Sequence, residues 1–207
     1  QSCLFIASSN AFVMMKSIYF IDSRVDQRKL IESALPEESV CIVLSEHSDG
    51  VVQIANALDG YRDLASVHVI SHGASGTLYL GNTVLDAHSV PLYAAELKTL
   101  GQSLAPSGDV LLYGCDVGAG DHGQAFIDQL SSLTGADVAA STNATGAAGD
   151  WQLEARAGDI DAPILTVAHY DKSLGMITGT GAADTLAGTG ENDTITSMKQ
   201  RVWIDTV

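Results

Sequence analysis

A chain of 207 residues with 46% hydrophobic side chains is long and apolar enough to bury one sizeable core, which excludes disorder over most of its length. Twenty-five acidic residues against ten basic ones leave a net charge of −15, which repels nucleic acid phosphates and anionic lipid, so nucleic acid is not the expected partner. Cys3, Cys41 and Cys115 are odd in number and lack any CxxC pairing, which argues against a disulfide framework or a zinc site.

Residues 1–16 read as a leader or an artificial remnant, because SCLFIASSNAFVMM is apolar but lacks a basic start and is shorter than a membrane span. No other run is long and apolar enough to cross a membrane. From 17 to 162 short β-branched runs alternate with amphipathic stretches, the pattern of βαβ units around a largely parallel sheet. SIYFID (17–22) predicts a strand, and VDQRKLIESAL (25–35) a helix stopped by Pro36. SVCIVL (39–44) is a second strand with Cys41 as an expected core residue, followed by a helix over 50–59. The strand at 66–71 comes next, with His68 buried or facing the sheet, then a hairpin over 77–85 turning at Gly81-Asn82. A third helix is expected at 88–104, then the strand DVLLYG, a helix at 120–134 with Gly135 as its C-cap, and strands at 136–141 and 150–156. Residues 163–178 read as a linker, 179–196 as two nine-residue repeats, GTGAADTLA and GTGENDTIT, and 197–207 carry no interpretable pattern.

Two stretches share one construction. SVHVISHG (66–73) and DVLLYGCD (109–116) each run through an apolar strand into a small residue and a reactive side chain, His72 in one and Cys115 in the other. In a parallel sheet the loops after the strands collect at one edge, so neighbouring strands would bring an imidazole and a thiol to a shared cleft. A thiol becomes a strong nucleophile only as the thiolate, and an adjacent imidazole supplies the base. Gly73 and Gly114 allow close backbone approach, and the N–H groups of Gly73 and Cys115 are the expected donors to an oxyanion. The other histidines, His47, His88, His122 and His169, show no metal-ligand spacing and read as structural or surface residues.

A hydrophobic strand ending in His-Gly, followed 43 positions after the histidine by Gly-Cys at the end of a second strand, resembles the caspase-like clan of cysteine peptidases. The motifs IDS, SHG, LYLGN, LLYGCDVGAG, TGADVAAS and GDWQLE, over about 17–160, more closely resemble a bacterial domain-of-unknown-function family found near the N-terminus of giant exported adhesin-like proteins. The resemblance implies a caspase-hemoglobinase-like three-layer α/β sandwich, with His72 as general base, Cys115 as nucleophile and a polypeptide as substrate. It places the pocket for the residue preceding the cut (P1) at Asp22 and Arg24, at Tyr113 and Asp116, and at Ser141 and Asn143. Asp22 pointing inward would favour a basic P1 residue and Arg24 an acidic one, with Asp22 as a plain helix cap the competing reading. The repeats resemble the calcium-binding nonapeptides of haemolysin-type (RTX) exported proteins, with Asp184 and Asp193 at the ligand position. That implies export to the cell surface and calcium as a ligand of the tail, with no cofactor needed by a His/Cys pair. The function expected is a cysteine endopeptidase that processes its own parent chain. Its rivals are a non-catalytic adhesion or retention module and a hydrolase or acyltransferase acting on a small thioester or amide.

Overall fold

A computed structural model of the protein describes residues 16–147 and 149–175. Strands β1 (Ser17–Asp22), β2 (Val40–Leu44), β3 (Leu64–Ile70), β7 (Leu104–Tyr113), β8 (Asp137–Ala140) and β9 (Ala155–Ala157) form one sheet in the order β2-β1-β3-β7-β8-β9. All pairings are parallel except β8 with β9. Helices α1 (Arg28–Ala34), α2 (Gly50–Leu58), α3 (Ala94–Ser103) and α4 (Gly120–Thr134) supply the crossovers. A small antiparallel sheet, β4 (His72–Ala74), β5 (Thr77–Leu80) and β6 (Thr83–Asp86), comes directly after β3. The α/β class, the mostly parallel sheet and the three layers agree with the sequence reading.

The apolar strands are buried on both faces, as a parallel sheet between two layers requires. Alternate residues therefore enter different cores. Ile18, Phe20, Val67, Val69, Val110 and Leu112 pack with α2, α3 and α4 on one side, and Tyr19, Ile21, Ile70, Leu111 and Tyr113 pack with Val25 and Ile31 on the other. That second core is closed by Leu165, Val167, Tyr170 and Leu174, which are all buried. Residues 163–175 of the segment expected as a linker thus cover this face together with α1, anchored where Tyr113 Oη accepts from Leu165 N–H at 2.8 Å. Asp109 adds a second anchor, its carboxylate accepting from the N–H groups of Asp161 (3.0 Å) and Ala162 (2.7 Å).

Local chemistry explains the element ends. Asp49 caps α2 by accepting from the amides of Val51 and Val52. Gly135 ends α4 with φ +72°, as its sequence position predicted. The hairpin does turn at Gly81, whose φ is +58° and whose missing Cβ would lie 2.1 Å from the Ser48 carbonyl oxygen.

Three expectations need correction. Cys41 is exposed, because β2 is the edge strand and the face that carries Cys41 and Val43 stays open. The expected strand over 150–156 makes an isolated bridge at Asp150 with Thr145 and joins the sheet only at its end, where β9 begins, while Trp151 and Leu153 turn into the second core. The third helix starts later than predicted, after a short 3₁₀ turn at Val90–Tyr93. The calcium assignments at Asp184 and Asp193 lie outside the described residues. Among the described residues no cluster of His, Cys, Asp or Glu could hold a metal, and no helix is long and apolar enough to cross a membrane.

Candidate active site

The strand order reverses between β1 and β3, since the chain steps outward from β1 to β2 and then returns to the other side. Loops leave a doubly wound sheet in opposite directions at such a point and open a crevice at the carboxyl edge of the strands. Arg24 follows β1, His72 follows β3, Cys115 follows β7 and Ser141 follows β8, so the four loops named from the sequence meet at one rim. β3 and β7 are neighbours with Ile70 opposite Tyr113, and the ladder continues as Ser71 N–H donates to the Tyr113 carbonyl at 3.0 Å. His72 opens β4 and Cys115 follows β7, so both residues start from this rim, and no hydrogen bond joins their side chains.

The imidazole is held by one nitrogen. His72 Nε2 lies 3.3 Å from the Arg24 carbonyl oxygen. A carbonyl can only accept, so Nε2 carries the proton and Nδ1 keeps its lone pair in the neutral ring. Nδ1 is buried with no hydrogen-bond partner. A buried unpartnered ring nitrogen carries a desolvation cost that the fold leaves uncompensated.

Cys115 is 4% exposed and its sulfur is surrounded by main chain. Thr145 N–H donates to Sγ at 3.1 Å, a contact that stabilises negative charge on sulfur, and Ser173 Oγ lies 3.3 Å away. The next residue, Asp116, sits in the left-handed region at φ +61°, which turns the chain sharply after Cys115. Its N–H donates to the Asn143 carbonyl at 2.8 Å. Glu154 in turn clamps the 142–143 loop, accepting from Thr142 N–H and Asn143 Nδ2, each at 2.9 Å.

The two donors predicted for an oxyanion converge on one atom. Gly73 N–H and Cys115 N–H both donate to the Leu174 carbonyl oxygen, at 3.0 and 3.4 Å. Glycine is required at 73 because a Cβ there would come within 2.5 Å of Val117 Cγ2 and 3.1 Å of the Cys115 carbonyl oxygen. Gly175 lies on the other side of that carbonyl, and a Cβ on it would stand 3.4 Å from Cys115 Sγ.

The pocket residues named from the sequence separate into different roles. The Asp22 carboxylate is fully buried and its oxygens are engaged inside the fold, by Arg24 Nε at 2.8 Å, Arg24 NH2 at 3.0 Å and Gly81 N–H at 2.6 Å. Arg24 also reaches the Tyr79 carbonyl at 3.1 Å, so its own charge is compensated. Tyr113 is interior, burial raising its hydroxyl above the ordinary tyrosine range. Ser141 is buried and bonds the Asn143 carbonyl at 3.0 Å, while Asp116 is exposed. Together these residues shape the loops around His72 and Cys115. Thr145, Ser173, Leu174 and Gly175 were not named from the sequence, although the Leu165/Val167 alternation in ILTVAHYDKSLG was a packing signal that a linker would not carry.

The family model described as a domain of unknown function, DUF4347, matches residues 18–174. The chain belongs to the DUF4347 family. Its match runs from the first residues of β1 to Leu174, the residue whose carbonyl meets the two donors. No curated protein matches. Among solved structures, the DUF4347 chain is similar to one titled as a small-chain dehydrogenase, at 10% identity and a TM-score of 0.33, covering 57% of this chain and 77% of that one.

Proposed function

We propose that this DUF4347 domain is a cysteine endopeptidase of the caspase-like class, with Cys115 as nucleophile and His72 as general base. The observation that carries the reading is the convergence of Gly73 N–H and Cys115 N–H on a single carbonyl oxygen beside the Cys115 thiol. Two main-chain donors aimed at one point are the arrangement that stabilises the oxyanion of a tetrahedral intermediate. The free Nδ1 of His72 takes the thiol proton and later returns it to the leaving amine. Neither step requires a cofactor.

A basic P1 residue has no support from the site, because the Asp22 charge is already compensated by Arg24. Export to the cell surface and calcium binding at 179–196 stay proposals that rest on the resemblance of the sequence alone.

The reading is tested by incubating a proteome-derived peptide pool with the protein and identifying new termini by mass spectrometry. Cleavage by the wild type that disappears in Cys115→Ala, and falls by about 100-fold or more in His72→Ala, is the expected result. Identical behaviour of the wild type and Cys115→Ala on every substrate, the chain itself included, would leave a non-catalytic module.

A further inference from the structure

The residues that occupy the crevice belong to the chain itself, and they lie there as a substrate would. Leu174 N–H donates to the Thr145 carbonyl at 3.0 Å, Ala147 N–H donates to the Lys172 carbonyl at 2.9 Å, and Gly146 and Ser173 form an antiparallel bridge. Residues 172–174 are thereby added as a short strand to the 145–147 loop, the main-chain mode by which extended peptides are held while side-chain pockets choose among them. Beyond the Leu174 carbonyl the partner changes. Gly175 forms a parallel bridge with Gly73, next to the base. The chain is thus gripped on one side of the Leu174–Gly175 bond by the loop that holds the thiol, and on the other by the strand that carries the imidazole.

From this placement we propose that the protein cleaves itself between Leu174 and Gly175, and that the site selects an aliphatic residue, leucine, at P1. The inference rests on the peptidase reading and names its substrate. Three further observations support it. The Leu174 side chain is fully buried and belongs to the apolar core that contains Tyr113, Trp151 and Tyr170, so the P1 position is lined by aliphatic and aromatic groups. The sulfur lies close to the residues on both sides of the target carbonyl, with Ser173 Oγ 3.3 Å away and a Cβ built on Gly175 in ordinary contact with it at 3.4 Å. The family match ends at Leu174, so the cut would separate the DUF4347 domain from the C-terminal residues 175–207.

The chemistry balances with water as the only co-reactant. His72 Nδ1 accepts the Cys115 proton, sulfur bonds to the Leu174 carbonyl carbon, and the carbonyl electron pair moves onto the oxygen held by Gly73 and Cys115 N–H. Collapse breaks the bond to Gly175 nitrogen, which takes the proton from His72 and leaves as a free amine. A thioester joins Cys115 to Leu174. Water, deprotonated by Nδ1, hydrolyses it to the Leu174 carboxylate and restores the thiol. Ser173 Oγ accepts from the Gly175 N–H at 3.2 Å and lies beside the sulfur, which holds the leaving nitrogen near the nucleophile.

The test tracks the full chain over time by intact-mass spectrometry, beside Cys115→Ala and Gly175→Pro. The wild type should resolve into a fragment ending in Leu174 and one beginning at Gly175, while both variants stay whole. A second arm supplies the free peptide Tyr-Asp-Lys-Ser-Leu-Gly-Met-Ile and its relatives with Arg, Asp or Ala in place of Leu. The leucine peptide should be cut at least 10-fold faster than the others. If peptides are cut by the wild type and not by Cys115→Ala while the chain stays whole or breaks elsewhere, self-cleavage at this bond is overturned and the peptidase reading stands. Faster cutting after Arg or Asp overturns leucine selection. If neither chain nor peptide is cut, both fall together.

Discussion

His68 provides a quantitative test of the core beneath the site. It is fully buried in β3, stacked on Tyr19 with ring centroids 4.1 Å apart, parallel to Tyr113 within 10°, and bonded to Ser66 Oγ at 2.8 Å. Burial pushes its pKa from the ordinary 6.5 down to about 3. The folded ring therefore stays neutral while the unfolded one protonates, so the contribution is complete above pH 6.5 and is lost as pH falls toward 3. The loss is about 1.4 kcal/mol per pH unit inside that window, or about 2 kcal/mol between pH 6 and 4.5. Urea unfolding of Cys115→Ala, monitored by tryptophan fluorescence at those two pH values, should show this excess loss relative to Cys115→Ala/His68→Phe. The phenyl ring keeps the stack but cannot titrate, and the carboxylates common to both proteins cancel. Equal losses in the two proteins, within about 0.5 kcal/mol, would mean that His68 is not held neutral by the core.

Other outcomes depend on single contacts. Asp109→Asn should leave the protein equally or more stable at pH 7, because burial and the nearby Asp137 and Asp161 charges already raise the Asp109 pKa, and the amide oxygen can still accept from Asp161 and Ala162. Asp109→Ala removes that acceptor and should cost about 1–3 kcal/mol in chemical unfolding. Gly81→Ala should cost at least about 2 kcal/mol in a thermal or urea melt, since it forces a left-handed φ and sets a methyl against the Ser48 carbonyl. Asp22→Ala leaves the Arg24 guanidinium without its buried partner and should cost about 3–5 kcal/mol by the same measurement. Self-cleavage by Asp22→Ala should also slow, because the loop whose carbonyl orients His72 loses its anchor.

How far the site could be read in advance depended on where its atoms came from. His72, Gly73 and Cys115 lie in two short stretches of β-branched and apolar residues, whose period and end residues identify buried strands and the loop residues just beyond them. Asp22 could be placed at the end of β1, but its partner was undetermined, because a carboxylate at a strand end caps, pairs or faces a ligand according to neighbours far away in the chain. Gly81, 59 residues on, and Arg24 took it. Cys41 was misplaced for a similar reason: a strand pattern gives the alternation of faces, while edge or centre is decided by sheet order.

Local sequence was sufficient for the α/β class, the strands β1, β3 and β7 and the glycine-capped helix α4, because periodicity, turn glycines and strand length are short-range properties. Only the tertiary structure decided that residues 163–175 cover the second face of the sheet and that Leu174 brings its carbonyl to the two N–H donors. That placement depends on main-chain hydrogen bonds between positions about 30 to 100 residues apart, Thr145 with Leu174 and Gly73 with Leu174, and backbone groups are the same at every residue, so side-chain patterns carry no record of which of them will meet.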